Sequence, residues 1–113
     1  MLAIGLSGRY VCAREELRAS IPTIYAEVNQ KYFEGKLEDV SITVSDLRKL
    51  DDGNITVGVT NFGERTTIEI DLYRIEDERE LRETISHEAC HVYEGPDSGD
   101  HGVSFQACML RFN

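Results

Sequence analysis

Three short runs of alternating apolar and polar residues, all between positions 40 and 71, constrain the fold of this chain most. The runs occupy residues 40–44, 55–60 and 67–71. Alternation with a period of two is typical of strands that bury one face. Turn-forming residues separate the runs, at 51–54 and again at 61–64. Because the second turn is short and contains glycine, we expect the last two strands to pair antiparallel, in a three-stranded and mainly antiparallel sheet.

Helical patterns flank these strands on both sides. The first has apolar residues at intervals of three and four, which form one face of a helix: Ile21, Ile24, Val28 and Tyr32. We expect this helix to begin at Ser20 as its N-cap, with Pro22 in the first turn, and to end at Gly35. Leu17 would extend the apolar face into a preceding turn.

The second helical pattern begins near Glu78 and ends at residues 94–96. Its apolar face consists of Leu81, Ile85, Ala89 and Val92. An irregular loop over residues 95–102 leads to a last helix, predicted over residues 103–112. This order of elements predicts a small α+β fold, and a length of 113 residues suits a single domain spanning 1–113.

Charge and cysteine content narrow the class of protein. The net charge is −9, from 12 basic and 21 acidic residues, and the basic residues are scattered. Since nucleic-acid affinity comes largely from Lys and Arg at phosphates, we expect this domain to bind DNA or RNA weakly. Cys12, Cys90 and Cys108 lack paired spacing, which predicts reduced thiols in or near the core. The N-terminus lacks signal-peptide features and no apolar run suits a membrane span, so we expect an intracellular, cytoplasmic protein.

Residues 87–91 read HEACH, an H-E-x-x-H motif on the second predicted helix. Because a helix turns about 100° per residue, His87 and His91 lie one turn apart on one face and can share a metal ion. Glu88 points off that face, so it can reach a water on the metal rather than the metal itself. The motif predicts a zinc-dependent hydrolase, usually a peptidase, with Glu88 as the general base.

A catalytic zinc site needs a third protein ligand and an open fourth position. No glutamate follows Glu94, and a spacing of H-E-x-x-H-x-x-G-x-x-H fails because Glu94 and Asp97 occupy its glycine and histidine positions. His101, Asp97 and Asp100 remain, and the preference of zinc for imidazole favours His101. Asp97 and Asp100 are then candidates to orient the histidines, or equally to be solvated loop acids. We expect one zinc ion per chain.

Two other arrangements of the same residues stay open. In a closed structural site, Cys90 would be the fourth zinc ligand, which would leave Glu88 without a role. Alternatively, the histidines would be solvated and bind no metal.

Several segments in order resemble the SprT-like family of zinc metalloproteases, which includes the Spartan proteases. Residues 29–37, NQKYFEGKL, are similar to its N-x-x-Y-F-x-G-x-L segment, and residues 84–91, TISHEACH, to its T-x-x-H-E-x-C-H helix. Residues 99–105, GDHGVSF, are similar to its G-H-G-x-x-F, which carries the third histidine, and Met109 and Asn113 continue the pattern. The resemblance covers roughly residues 20–113.

The resemblance implies a minimal zincin-like domain with His87, His91 and His101 as zinc ligands and a peptidase site beside the sheet. It implies protein substrates, and the Spartan branch degrades proteins crosslinked to DNA, a role in the nucleus or nucleoid. Within residues 1–113 we expect neither the C-terminal zinc ribbon nor the basic DNA-binding segments of family members, and Asp100 stands directly before the third histidine. Together with the net charge of −9, these departures weigh against the DNA-linked role but not against the zinc chemistry.

We expect an extended peptide substrate to add to an edge strand near residues 67–71. Tyr93 and Tyr73 are candidates to stabilise the oxyanion, but tyrosines so placed are more often packing residues, and the stabiliser is left unassigned. A non-catalytic zinc-binding module of the same fold is one alternative function, although it would not need Glu88. A three-histidine endoribonuclease, H-G-x-x-H-x5-H, is another; here Glu88 replaces the glycine and nine residues separate the last two histidines.

Overall fold

The computed structural model describes residues 2–97 and 101–113, with side chains from residue 14 onward. Within these ranges the chain has three α-helices and a three-stranded mixed sheet, which confirms the predicted α+β class. In chain order the elements are α1 (Leu2–Phe33), β1 (Ser41–Val44), β2 (Gly58–Phe62), β3 (Thr66–Ile70), α2 (Glu78–Glu94) and α3 (Val103–Met109). Short 3-10 turns follow β3 and α3, at Leu72–Arg74 and Leu110–Phe112.

The strand order in the sheet is β1-β3-β2. The predicted antiparallel pairing of the last two strands is confirmed, whereas β1 pairs with β3 in parallel. Because β3 is paired on both sides, the expectation of a free edge near residues 67–71 is wrong. Alternation shows which face of a strand is buried, but it does not show where the strand lies in the sheet. The edge next to α2 is β2.

The register of β2 against β3 decides which of its side chains point toward the helices. Thr60 lies opposite Ile68, and Gly58 lies opposite Ile70. Directly opposed residues of an antiparallel pair have their side chains on the same face. Ile68 and Ile70 are fully buried in the core, so Gly58 and Thr60 also face the interior, where α2 packs against β2.

Helix α1 begins at Leu2, so the expected start at Ser20 is wrong, and Pro22 lies inside the helix. Residues 13–19 are Ala, Arg, Glu and Leu, the strongest helix formers, and they continue the helix upstream of the proline. Ser20 is not a cap, since its hydroxyl donates to the backbone oxygen of Leu17, 2.7 Å away. The predicted apolar face is correct: Ile21, Ile24 and Val28 are buried, with Leu17 and Tyr32 packed against them.

The turn after α1 explains the first segment of the family resemblance in physical terms. The side chain of Asn29 brackets Leu37, accepting from its backbone N–H at 3.0 Å and donating to its carbonyl at 3.4 Å. Gly35 adopts φ +74°, a left-handed conformation that suits glycine and ends the helix. These contacts fix the direction in which the chain leaves α1 toward β1.

Helix α2 has the boundaries and the buried face predicted for it. Asp77 caps its N-terminus by accepting from the backbone N–H of Glu80 at 2.9 Å. Of its predicted apolar face, Leu81, Ile85 and Ala89 are fully buried and Val92 nearly so. The helix ends at Gly95, whose N–H donates to the carbonyl of His91. No helix within the described residues is long and apolar enough to cross a membrane.

A disulfide joins Cys90 on α2 to Cys108 on α3, with their Cα atoms 5.9 Å apart. The prediction that these cysteines lie in the core is confirmed, since both are buried, but the prediction that their thiols are reduced is wrong. A sequence separation of 18 residues carries no signal that two helices pack side by side. The side chain of Cys12 lies outside the described residues.

Candidate metal centre

Two of the three histidines lie one turn apart on α2, as their spacing predicts. The rings of His87 and His91 have centroids 5.0 Å apart, and both side chains are partly exposed. They lie on the edge of the helix that borders α3, next to the buried face that anchors α2 in the core. The core therefore fixes the backbone that carries them, while the imidazoles reach the surface.

His101 enters the site from the loop that precedes α3. Its Nε2 atom lies 3.1 Å from Nε2 of His87 and 3.2 Å from Nε2 of His91. Among the described residues, these three histidines form the one group of His, Cys, Asp or Glu whose ligand atoms converge, all within 4.8 Å of one another. The structure thus brings together three imidazole nitrogens from two separate segments of the chain.

Two of the three separations between these nitrogens are close to those of a tetrahedral zinc site. Zinc binds histidine nitrogen at about 2.0–2.1 Å, so two nitrogens of a tetrahedral site lie about 3.3–3.4 Å apart. The separations of 3.1 and 3.2 Å from His101 are close to this value. His87, His91 and His101 therefore lie close enough together to hold one metal ion, and a set of three imidazoles is compatible with zinc.

The ring of Phe105 packs against all three imidazole rings. Its ring centroid lies 4.8 Å from that of His87, 4.5 Å from His91 and 4.8 Å from His101. Phe105 is buried on α3, and Gln106 beside it donates to the backbone oxygen of His101 at 3.1 Å. Helix α3 therefore positions His101 through two contacts, one with its ring from Phe105 and one with its backbone oxygen from Gln106. In the sequence, Phe105 was noted only as the last residue of the segment at 99–105, with no role assigned to it.

Glu88 occupies a different environment from its neighbours on α2. It is 3% exposed, and its Oε1 atom accepts a hydrogen bond from Thr60 Oγ1 at 2.8 Å. A buried carboxylate requires such partners, because burying a charged group without them is costly. The helix thus directs its two histidines toward α3 and the intervening glutamate toward β2. Thr60 and Gly58, which line the glutamate, had no signal in the sequence beyond strand alternation.

The structure excludes one of the arrangements that the sequence left open, the closed site with Cys90 as a fourth ligand. Cys90 is fully buried and bonded to Cys108, so it is not a fourth ligand beside the histidines. Asp97 is exposed and outside the cluster of converging ligand atoms. Asp100, the other acid predicted to orient a histidine, lies outside the described residues. A role of either aspartate in orienting the histidines stays a prediction.

The two tyrosines considered for the oxyanion differ in their surroundings. Tyr93 packs against Phe33, with ring centroids 5.2 Å apart, and the guanidinium of Arg111 lies 4.5 Å from its ring centroid. These contacts belong to the junction of α1 with the C-terminal turn and are those of a packing residue. Tyr73 lies in the turn after β3 and is 70% exposed.

An open groove of about 1100 Å³ borders the histidine cluster on the side of His87. Its apolar lining residues include Met109, Leu110 and Phe112. Charged side chains of α1 and α2 form its rim: Glu27, Lys31, Arg79, Arg82 and Glu83. The candidate metal centre therefore borders an open groove through His87.

The sequence model of the SprT-like family matches residues 21–113. The chain belongs to the SprT-like family. The SprT-like match begins at the buried face of α1 and continues through both histidine-bearing segments, which confirms the resemblance drawn from the motifs. SprT-like proteins are generally metalloprotease-like, and the family assignment suggests a zincin-like domain. No curated protein and no solved structure matches the chain.

Proposed function

We propose that this chain is a zinc-dependent endopeptidase that cleaves protein substrates. The observation that carries the proposal is the convergence of His101 on the H-E-x-x-H helix, with Nε2 separations of 3.1 and 3.2 Å from His87 and His91. Three protein ligands leave one of four tetrahedral positions for water or substrate, which distinguishes catalytic from structural zinc sites. Membership of the SprT-like family supports the same conclusion.

In the proposed mechanism His87, His91 and His101 would hold one zinc ion. A zinc ion bound there would supply a Lewis acid that brings the pKa of a water toward about 7 and polarises the carbonyl of the scissile peptide bond. Glu88 accepts the proton of the attacking water and delivers it to the nitrogen of the leaving amine. Its burial between α2 and β2 keeps bulk water away from the carboxylate, which suits a group that transfers one proton in each direction.

The sheet edge at β2 supports binding of an extended substrate. In the sheet of the described residues, β2 pairs only with β3, so its outer edge can form backbone hydrogen bonds with a peptide. In such strand addition the hydrogen bonds are made to the main chain of the peptide, so substrates of many sequences can bind. The groove bordering His87 offers a second surface for the same polypeptide. We propose proteins, rather than small peptides alone, as the substrate class on these grounds.

A substrate crosslinked to DNA would have to be recognised through its protein part. The net charge of −9 disfavours direct contact between this chain and phosphates. We propose that targeting to DNA, where it occurs, comes from another protein or another segment, and that the catalytic domain acts inside the cell.

The competing functions differ in what they require of Glu88. A non-catalytic zinc-binding module would have no use for a buried carboxylate beside its metal. A three-histidine endoribonuclease would need a surface for RNA, which the acidic composition disfavours. Neither alternative accounts for the placement of a glutamate next to two metal-ligand candidates, so neither is favoured.

The test compares the wild type with Glu88→Gln, with zinc content and cleavage of an unfolded protein measured on the same preparations. Glutamine keeps the shape of the side chain but cannot accept the proton. General-base catalysis contributes about 10²–10⁴-fold, so we expect activity to fall by that factor while zinc stays at one per chain. A wild-type protein that holds zinc and cleaves no protein would refute the proposal. Low zinc in the variant would show that Glu88 is a ligand instead.

A further inference from the structure

We propose that Thr60 and Gly58 of the edge strand β2 are positioning residues that set the orientation of the Glu88 carboxylate. The inference rests on the proposed function for its catalytic consequence, but the contacts themselves do not depend on it. Both residues belong to a strand that is remote in sequence from the H-E-x-x-H helix, and both face α2 because of the strand register.

Thr60 holds one oxygen of the carboxylate directly. Its Oγ1 atom lies 2.8 Å from Glu88 Oε1 and 3.4 Å from the backbone oxygen of Glu88. A hydroxyl has one proton to donate, and the shorter contact assigns it to the carboxylate. Hydrogen bonds to charged groups are stronger than those between neutral groups, so this contact fixes Oε1 more firmly than side-chain packing alone would.

Gly58 makes room for the other oxygen. A Cβ atom at position 58 would lie 3.0 Å from Glu88 Oε2 and 3.2 Å from Glu88 Cγ. It would also lie 3.1 Å from Cγ2 of Thr84, which comes one turn before Glu88 on α2. Contacts this short would force the glutamate or the helix to move by a few tenths of an ångström. The absence of a side chain at Gly58 therefore permits the close approach of α2 to β2 at this carboxylate.

Together the two residues restrict the carboxylate from both sides. Thr60 attracts Oε1, and Gly58 admits Oε2, two residues apart on one face of β2. A general base must lie within hydrogen-bonding reach of its proton, and an ångström of misplacement is costly to the rate. A side chain as long as glutamate has three rotatable bonds, so orientation by β2 supplies a constraint that α2 alone does not.

The first arm of the experiment measures kcat, KM and zinc affinity for Thr60→Val and Thr60→Ser. Valine keeps the volume and removes the hydroxyl, while serine keeps the hydroxyl. We expect valine to lower kcat roughly 10- to 100-fold with KM and zinc affinity nearly unchanged, and serine to restore most of the rate. Thr43→Val on the outer face of β1 is the matched control, with unchanged kinetics expected. Unchanged kcat in Thr60→Val, or no rescue by serine, would overturn the proposal.

Gly58→Ala tests the close approach of Glu88 to Gly58, because it adds a methyl group where Thr60→Val removes a hydroxyl. We expect kcat to fall while the zinc content stays at one per chain, because the added methyl group meets Glu88 and not a histidine. Loss of zinc in parallel with activity would mean that the methyl group displaces the whole helix, and would overturn a positioning role for Gly58.

The second arm does not use activity. Urea unfolding of the zinc-loaded protein, at fixed free zinc, gives the effect of Thr60→Val in the wild type and in a Glu88→Met background. If Thr60 acts on the carboxylate, Thr60→Val lowers the folding equilibrium constant about tenfold or more when Glu88 is present. The same substitution lowers it much less in the Glu88→Met background. Equal losses in both backgrounds overturn the inference. A wild type without peptidase activity would refute the proposed function alone, and the coupling would still decide whether Thr60 holds Glu88.

Discussion

The ring of Phe105 stacks on the ring of His91, with centroids 4.5 Å apart and an angle of 26° between the planes. The other two histidines meet the same phenylalanine more nearly edge-on, at 64° for His87 and 70° for His101. One aromatic side chain thus limits the rotation of all three candidate ligands. The orientation of the imidazoles is therefore set by the core of the domain as well as by any metal they hold.

Phe105→Leu should weaken zinc binding with little loss of secondary structure. Leucine fills much of the same space but lacks the flat ring, so the imidazoles gain freedom that metal binding must then remove. We expect a loss of zinc affinity of about tenfold, at the lower end of the effects that residues around metal ligands have. Competition with a chromogenic chelator measures it. Phe112→Leu is the control, since that ring packs against Tyr32 and Phe33 instead. Equal losses in both variants would contradict a specific role for Phe105.

His101→Ala should reduce zinc affinity far more than Asp97→Ala. The first variant removes one of three converging nitrogens, whereas Asp97 is exposed and outside that cluster. Loss of a group that only orients a ligand typically costs about 10–100-fold, so we expect more than about 100-fold for His101 and less than about tenfold for Asp97. Isothermal titration with zinc decides between them. A larger effect at Asp97 would show that the third ligand is wrongly assigned.

The Cys90–Cys108 disulfide should make stability depend on the redox state. The bond closes a loop of 18 residues that contains His101, and a loop of this size contributes about 3 kcal/mol in the chain-entropy account. We expect Cys108→Ala, or added reductant, to lower the free energy of unfolding by about that amount in urea titrations. Cys12→Ala serves as the control for loss of a thiol. Titration of the unreduced, denatured protein should find one free thiol per chain; three would contradict the bond.

Asp51 should contribute stability that acid removes. The guanidinium of Arg74 lies 2.7 Å from this carboxylate, and the N–H of Thr56 donates to it, which together lower the pKa of Asp51 from its ordinary value to about 2. Since the pKa is lower in the folded than in the unfolded state, the contribution is complete above about pH 4 and is lost as the pH falls toward about 2.

The stability difference between wild type and Asp51→Asn should therefore shrink as the pH is lowered through this window. Urea unfolding of the chelator-treated protein at several pH values measures that difference without a contribution from acid-induced loss of a bound metal. Asp52→Asn, next along the chain and exposed, is the matched control and should show no such trend. A difference that is constant from pH 5 to pH 2 would rule out the ion pair with Arg74 as its cause.

DNA should bind this chain weakly. The 12 basic residues are outnumbered by 21 acidic ones, so few phosphates can be neutralised. We expect any binding to single-stranded or duplex DNA at about 0.15 M salt to be weaker than submicromolar, as non-specific binding is. Fluorescence anisotropy at two salt concentrations measures this. A submicromolar complex with a steep salt dependence would revive a direct role at DNA-linked substrates.

The sequence predicted the fold class, the bounds of α2 and the placement of His87 and His91 on one helix face because each depends on local spacing. His101 was predicted instead from the preference of zinc for imidazole. His87 and His91 are one helical turn apart, and the buried faces of α1 and α2 follow a helical period. The errors concern relations between segments. Neither the disulfide to Cys108 nor the central place of β3 has a local signature, since each depends on how the elements pack. The contact of Thr60 with Glu88 joins residues 28 apart and was missed for the same reason.

The start of α1 was misread for a different reason. Ser20 and Pro22 form a good helix-start signal, but the residues before them favour helix just as strongly, and the helix passes through both. A start signal therefore predicts a helix boundary only where the preceding segment does not itself favour helix.

The register of β2 makes chain length, and not only residue identity, a determinant of the proposed chemistry. Thr60 and Gly58 face Glu88 because the strand alternates sides at every residue. A single inserted or deleted residue between Gly58 and Thr60 would preserve every side chain of the metal centre, yet it would turn the threonine hydroxyl to the opposite face of the sheet. Changes of length in the turn at residues 63–65 would leave Gly58 and Thr60 on the same face of β2. Among SprT-like sequences, we therefore expect insertions and deletions to accumulate in that turn and to avoid the inner segment of β2.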